Sequence, residues 1–439
     1  MGIRQATSVC SPSPSRCSIS NHSPDLEGIM PMASEPKDLP RGVDLTCLSE
    51  TFRNAPHAVL GAARERCPVY RDGMLRDYVV LSADIGRKVL SDRTLPTDPR
   101  NTLPTSTRRM RGEDLTQDPP IMFMDDPQHK RVRSLISKAF NIERIERFRP
   151  RVGAICRELI ESIEGDAFDF IDVIARPLPT ITIAEILGID SSHHDDFKIW
   201  SDQMVASSLN PLAPPDVKQA GAAAAVSLYQ LFASEMEARR AAGLVGDDLL
   251  TAMLAAEHDG QTLTDMEIIQ NAQVLLIAGN QTTTDVLGTM LNNILGSGDS
   301  WARLSANPTL IAGAVDEGIR FDPPIFSTDR IAGEDMELNG VAIPKGTQIS
   351  IMLPALNHDP ALNPDPDRFD IERRPIKHFS FGGGRHTCLG APLARMEAQE
   401  LLKVMSEVMP GLHLDAVRPA IFSPSPGFRG IDQLWLKRS

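Results

Sequence analysis

The chain of 439 residues is 41% hydrophobic and carries 45 Lys and Arg against 58 Asp and Glu, a formal net charge of -13. Such an acidic balance excludes a nucleic-acid partner, because phosphate binding needs a concentrated basic face. No run approaches the roughly 20 apolar residues that span a bilayer. Cys10, Cys17, Cys47, Cys67, Cys156 and Cys388 show no paired spacing and no Cys-x-x-Cys, which points to a reducing, cytoplasmic setting.

Residues 1–41 are rich in Ser, Pro and Cys and lack the continuous apolar segment of a secretory peptide. With Ser11-Pro12-Ser13-Pro14-Ser15 as its clearest signal, this stretch is expected to be a flexible extension. A short helix follows over 54–66. Val69-Tyr70 and Tyr78 to Leu81 then read as strands about the Asp72-Gly73 turn. Residues 92–120, dominated by Pro, Thr, Asp and Arg, form a loop free to cover a cavity.

Helix signals return over 127–140, where His129 and Arg133 lie four apart, and continue over 149–164, 171–187, 193–208, 217–242, 246–256, 264–296 and 308–319. Pro211 to Pro215 breaks the pattern between two of these helices. After Pro323 the character changes. Glu337 to Ile343 reads as a hairpin about Asn339-Gly340, and a further strand runs from Gly346 through Leu353.

Two segments carry polar or glycine residues against their local pattern. In the 264–296 helix, Ala278-Gly279-Asn280-Gln281-Thr282 interrupts an apolar run, and Gly279 costs roughly 1 kcal/mol of helix propensity relative to Ala. A close-lying ligand is a geometric reason for it. Thr282 can bond its own i-4 carbonyl or distort that ladder. Later, Phe381-Gly382-Gly383-Gly384-Arg385-His386-Thr387-Cys388-Leu389-Gly390 delivers one cysteine just before an apolar helix that carries Pro392 in its first turn. Its glycines allow a tight turn and close approach to a flat cofactor. A thiolate there meets unpaired N–H groups and the positive end of the helix dipole.

The cysteine segment resembles the Phe-x-x-Gly-x-x-x-Cys-x-Gly signature of the cytochromes P-450, the haem-thiolate monooxygenases, with Phe381, Gly384, Cys388 and Gly390 in its fixed places. The resemblance extends in order from about residue 45 to the C-terminus. It implies one large fold over 42–439, mainly α with smaller β-sheets, holding a buried haem b whose iron takes Cys388 as axial thiolate, a ligand that favours O–O cleavage. Ala278 and Gly279 match the family's oxygen-side helix. There Thr282 is implied in proton delivery, and Gln281 stands where the family has an acid. An amide orients water but does not exchange protons at neutral pH. Asp285, one turn on, is expected either to substitute for that acid or to form a structural ion pair.

Glu317 and Arg320 match the Glu-x-x-Arg element, implied to be a buried ion pair. His129, Arg133, Arg330 and His386 match the propionate contacts, and arginine suits a fork-like carboxylate bond. Leu276, Pro324, Ile325 and Phe326 are pocket candidates for a lipophilic substrate, with residues 203–217 as a lid. Lys130, Arg131, Lys138, Arg385 and Arg395 form a candidate patch for an acidic electron carrier.

The resemblance further implies a monomer that inserts one atom of dioxygen into a C–H bond, with electrons from ferredoxin and ferredoxin reductase or similar donors. A peroxide-driven haem-thiolate enzyme and a non-catalytic haem sensor or electron carrier are the alternative readings. The first would turn over with hydrogen peroxide alone; the second would bind haem without substrate-dependent oxygen insertion.

Overall fold

A single helix, Asp265–Gly296, runs for 32 residues and touches Pro177–Leu187, His194–Ser208, Pro215–Ala241, Ile311–Phe321 and Ala391–Val408, so it forms the axis of the helical part. In this computed structural model, residues 38–74, 78–104, 106, 119–208 and 213–438 are described. The helix starts where the sequence provides a capping box: the Thr264 side chain accepts from Glu267 N–H, and the Glu267 carboxylate accepts from Thr264 N–H.

The fold is mainly helical with smaller sheets, as expected. Most helices lie within a few residues of their sequence-based positions, and one departs instructively. The span expected over 149–164 is Ile142–Glu161, capped by the Asn141 side chain on Arg144 N–H and continuous through Pro150. Proline removes one backbone donor. The buried face formed by Ile145, Val152, Ile155, Cys156 and Ile160 runs across it and packs on Ala391–Val408, which holds the helix together. The expected 171–187 helix begins as a π-helical turn, Ile171–Ala175, and becomes regular at Pro177–Leu187. Helix Ala83–Ser91 is an addition to the sequence reading, and it matters because the cysteine loop rests on its C-terminal end.

The largest sheet has strands in the order Val69–Arg71, Tyr78–Val80, Gln348–Met352, Ser327–Ile331. The central pair is parallel, with Val80 opposite Ile351, and the outer pairings are antiparallel. The Met336–Leu338 and Val341–Ile343 strands form the expected hairpin, with φ of 51° at Asn339 and 80° at Gly340, the left-handed pair that such a turn requires.

Residues 1–37 of the expected N-terminal extension lie outside the described residues. Its last four belong to the folded body: Leu39 is buried, and the Pro40 carbonyl accepts the Tyr70 hydroxyl at 2.6 Å. Of the expected cavity-covering loop, residues 96–103 are tied down. Thr97 and Asp98 donate backbone N–H groups to Asp125, and Leu103 N–H reaches the Gly346 carbonyl. Residues 105, 107–118 and 209–212, including Pro211 and Leu212 of the Pro211 to Pro215 breaker, lie outside the described residues.

Candidate functional site

The cysteine loop is built by two left-handed glycines and a backbone clasp. Gly382 and Gly384 have φ of 68° and 67°, and Cys388 N–H donates to the Phe381 carbonyl at 2.9 Å. A Cβ on Gly384 would lie 2.1 Å from the Leu90 carbonyl oxygen. The sequence reading aimed these glycines at a cofactor. Gly384 is instead required by the protein's own helix end, and Gly383 is extended and packs on the Leu90 side chain.

The Cys388 sulfur receives the N–H groups of Gly390 and Ala391, the cap and first residue of helix Ala391–Val408. Burial raises its thiol pKa, while those N–H groups, Arg133 and Arg395 pull the other way. The residue nevertheless counts as exposed. A residue that is exposed as a whole while its sulfur is closely surrounded by protein lines a recess rather than the outer surface. Phe381 braces the loop from behind, its ring carrying the Arg395 guanidinium 4.5 Å from the centroid.

Beneath the loop lies the Glu317–Arg320 pair, both side chains at 0% exposure. Arg320 Nε and Nη2 donate to the two Glu317 oxygens at 2.7 and 2.8 Å. Arg373 Nε and Asp370 N–H also donate to Glu317 Oε1, at 3.1 and 3.0 Å, which ties the pair to the segment before the loop. Asn357 completes the link. Its side chain donates to the Arg320 carbonyl and the Ser380 hydroxyl and accepts Phe379 N–H at 2.7 Å. Arg373 and Asn357 were absent from the sequence reading, because the partners that tie them to this pair and to the loop lie 22 to 56 residues away in no local pattern.

Four expected contacts converge beside the loop. Arg133 Nη2 donates to the Thr387 carbonyl at 2.7 Å. The His129 and His386 rings lie 4.3 Å apart, and His386 Nε2 shares a hydrogen bond with the Thr97 hydroxyl at 3.0 Å. Arg330, on strand Ser327–Ile331, is 2% exposed and donates, among the described residues, to the carbonyls of Asp329, Leu90 and Gly383. Burial, then His129, Arg330, Arg385 and Arg133, push His386 down to about 2, and burial and Arg385 bring Arg330 down to about 10.

Among the described residues neither Arg133 nor Arg330 has a carboxylate partner, and His129 Nε2 is buried without any hydrogen-bond partner. Two arginines without a carboxylate partner among the described residues, set beside two histidine rings, suit a group bearing carboxylates. Among the described residues no three His, Cys, Asp or Glu side chains could together hold a metal ion.

The long helix presents an unpacked stripe. Leu275, Ala278, Gly279 and Thr282, at helical spacing, retain exposure, whereas Leu276, Asn280, Thr283 and Leu287 on the other side are buried. A Cβ on Gly279 would meet nothing within 4 Å. The Thr282 hydroxyl donates to the Ala278 carbonyl at 2.5 Å, and Gln281 Nε2 donates to Asp285 Oδ1 at 2.8 Å. The expected Asp285 ion pair is absent among the described residues. The carboxyl is buried, Oδ2 has no partner, and burial raises its pKa well above the usual carboxylate range.

Three pocket candidates are instead core. Leu276 has no exposure; Phe326, at 1%, stacks edge-on against Phe52 with centroids 5.1 Å apart; and Pro324 is buried, its carbonyl accepting from Arg429 N–H at 2.8 Å. The segment is clamped because Phe326 N–H reaches the Gly427 carbonyl and Leu353 N–H reaches the Phe326 carbonyl. Ile325 alone of these keeps partial exposure, and Leu275 and Ala278 take the open positions on the long helix.

The candidate docking patch is also reduced. Arg385 pairs with Asp125 at 3.0 Å and is largely covered, Arg395 pairs with Asp316 at 2.7 Å, and Arg131 pairs with Glu267. Lys130 and Lys138 remain exposed.

A family model described as Cytochrome P450 matches residues 205–405. Cytochrome P450 monooxygenase PikC of Streptomyces venezuelae is 33% identical over 406 residues, 90% of this chain and 94% of its own length. Vitamin D(3) 25-hydroxylase of Pseudonocardia autotrophica is 34% identical, covering 80% of this chain and 85% of its own. Among solved structures, CYP109E1 from Bacillus megaterium in complex with corticosterone aligns over 89% of this chain and all of its own, with a TM-score of 0.80 and 27% identity.

Proposed function

The chain belongs to the cytochrome P450 family, and from that premise we propose that it is a haem-dependent monooxygenase inserting one oxygen atom from dioxygen into a C–H bond of a lipophilic small molecule. When bound, haem b supplies the activation of dioxygen, with two electrons and two protons sending the second oxygen atom to water. Cys388 holds the iron as a thiolate, steadied by the N–H groups of Gly390 and Ala391. Arg133, Arg330, His129 and His386 bind the propionates; the lack of a carboxylate partner for Arg133 and Arg330 among the described residues supports that role, and His129 lies 3.7 Å from Asp126. Gly279 and Ala278 leave room on the oxygen side, and Gln281 and Thr282 order water there.

The observation that carries this reading is the Cys388 sulfur, set at a helix N-terminus in a recess and bonded by two backbone N–H groups. A vitamin D(3) hydroxylase and a corticosterone-binding protein among the relatives support a lipophilic substrate. Electrons would come from separate ferredoxin-type proteins, with Lys130 and Lys138 as exposed cations that have no carboxylate partner among the described residues and can meet an acidic carrier, although Lys138 Nζ also donates to the Glu257 carbonyl at 2.7 Å.

Reduction of the haem-loaded protein under carbon monoxide tests the ligand. The expected result is the red-shifted absorption of thiolate coordination, lost in Cys388→Ala. A spectrum unchanged by that substitution would overturn the proposal. Titration with a panel of lipophilic compounds, followed by the ferric spin state and product analysis, then identifies the substrate.

A further inference from the structure

Asp285 is 2% exposed at the middle of the long helix. Its Oδ1 accepts from Gln281 Nε2 at 2.8 Å, and its Oδ2 is buried without a partner among the described residues. The backbone opposite is shaped to the carboxyl: a Cβ on Gly430 would fall 2.0 Å from Asp285 Oδ1, so glycine there is needed for close approach. A buried carboxylate with one oxygen unsatisfied is expensive, and the neutral acid is the form that such a site holds. Asp432 is the charged group that bears on it from the facing strand, and as a like charge it pushes the same way.

The carboxamide of Gln281 is planar, with nitrogen and oxygen on opposite sides. Fixing Nε2 on Asp285 turns Oε1 away from it. Gln281 borders the open stripe of Ala278, Gly279 and Thr282. On that stripe the Thr282 hydroxyl has already given its hydrogen to the Ala278 carbonyl. Both side chains therefore offer acceptors, and a water between them is held by its hydrogens.

We propose that Asp285 is a positioning residue: as a buried carboxylic acid it fixes the Gln281 carboxamide with its nitrogen inward and its carbonyl oxygen toward the open stripe, so that the ordered water there has one orientation. This assignment rests on the proposed monooxygenase function and names what replaces the acid at position 281. A water oriented by a locked acceptor is a link through which a proton drawn from solvent can pass, so the amide at that position need not exchange a proton of its own.

Infrared difference spectroscopy of the resting, haem-loaded protein in H2O and D2O tests the acid directly. The expected result is a protonated-carboxyl C=O band that shifts on deuteration and disappears in Asp285→Asn. In Gln281→Ala, at a half-exposed helix position, the same band should move to higher frequency, because the carbonyl loses its donor. This second variant carries the test if Asp285→Asn fails to fold.

Asparagine at 285 both donates and accepts, so the Gln281 amide would populate two orientations of similar energy and product formed per reductant consumed should fall about twofold. The double variant Gln281→Glu with Asp285→Asn exchanges donor and acceptor and should recover coupling. Absence of an Asp285 band, an immobile band in Gln281→Ala, or unchanged coupling in Asp285→Asn would each overturn the assignment. The carbon monoxide spectrum separates the two readings: if it reports thiolate ligation while these results fail, the positioning role is wrong and the monooxygenase reading stands.

Discussion

Arg320 grips Glu317 through Nε and Nη2 at 2.7 and 2.8 Å, with neither side chain exposed. Three residues separate them in the chain, yet the pair serves a longer connection, because Arg373 and Asp370 join the same carboxylate. Removing one partner leaves a buried charge uncompensated, which costs about 3–5 kcal/mol. Glu317→Ala and Arg320→Ala should therefore lower the unfolding free energy by that amount and reduce haem content before altering product position. Denaturant titration alongside the haem-to-protein absorbance ratio measures both.

Arg330 makes the opposite case, since among the described residues it is a buried cation without a carboxylate. Arg330→Met should leave the haem-free protein as stable or more so, because no ion pair is broken. The loaded protein should release haem about 10 to 100 times faster, the effect of losing a charged hydrogen bond of about 1.5–3 kcal/mol. Transfer of haem to an excess of an apo-globin gives the rate; equal rates would count against a propionate contact.

Gly279 tests whether the open stripe is reserved. With nothing within 4 Å of an added Cβ, Gly279→Ala should stabilise the haem-free protein by up to about 1 kcal/mol through helix propensity alone. In the loaded enzyme the methyl group would intrude on the oxygen side and lower product per reductant. Thermal melts of both forms, with coupling measured on the loaded one, separate the two effects.

Glu397, on the cysteine helix, is buried with Oε2 unpartnered among the described residues, and burial pushes its carboxyl up to about 8. Between the ordinary carboxylate range and pH 8, the folded protein keeps a proton that the unfolded chain releases. Stability from this group is therefore lost as pH rises through that window and levels off above it. Glu397→Gln, neutral throughout, should match the parent at acidic pH and melt at a higher temperature near pH 8. A pH-independent difference between the two would rule out the buried acid.

The parts legible in the sequence share one property: their geometry is set within a turn or two of chain. The Asn339-Gly340 turn and the Glu317–Arg320 spacing are of this kind, and each forms as read. The glycines around Cys388 were legible as a tight turn, but their reason was not: Leu90, almost 300 residues earlier, dictates Gly384.

Sequence by itself determined which residue types could supply a thiolate, a fork of cations and a small-residue gap in a long helix, because backbone conformation and helical periodicity are local. Tertiary structure alone decided which of those groups keep a partner. It committed Arg385 to Asp125, sent Leu276 and Phe326 into the core, left Arg330 without a carboxylate among the described residues, and sealed Asp285 against Gly430. Burial and pairing depend on what distant segments bring to the same point, and that is where the charge and hydrogen-bonding state of each group was set.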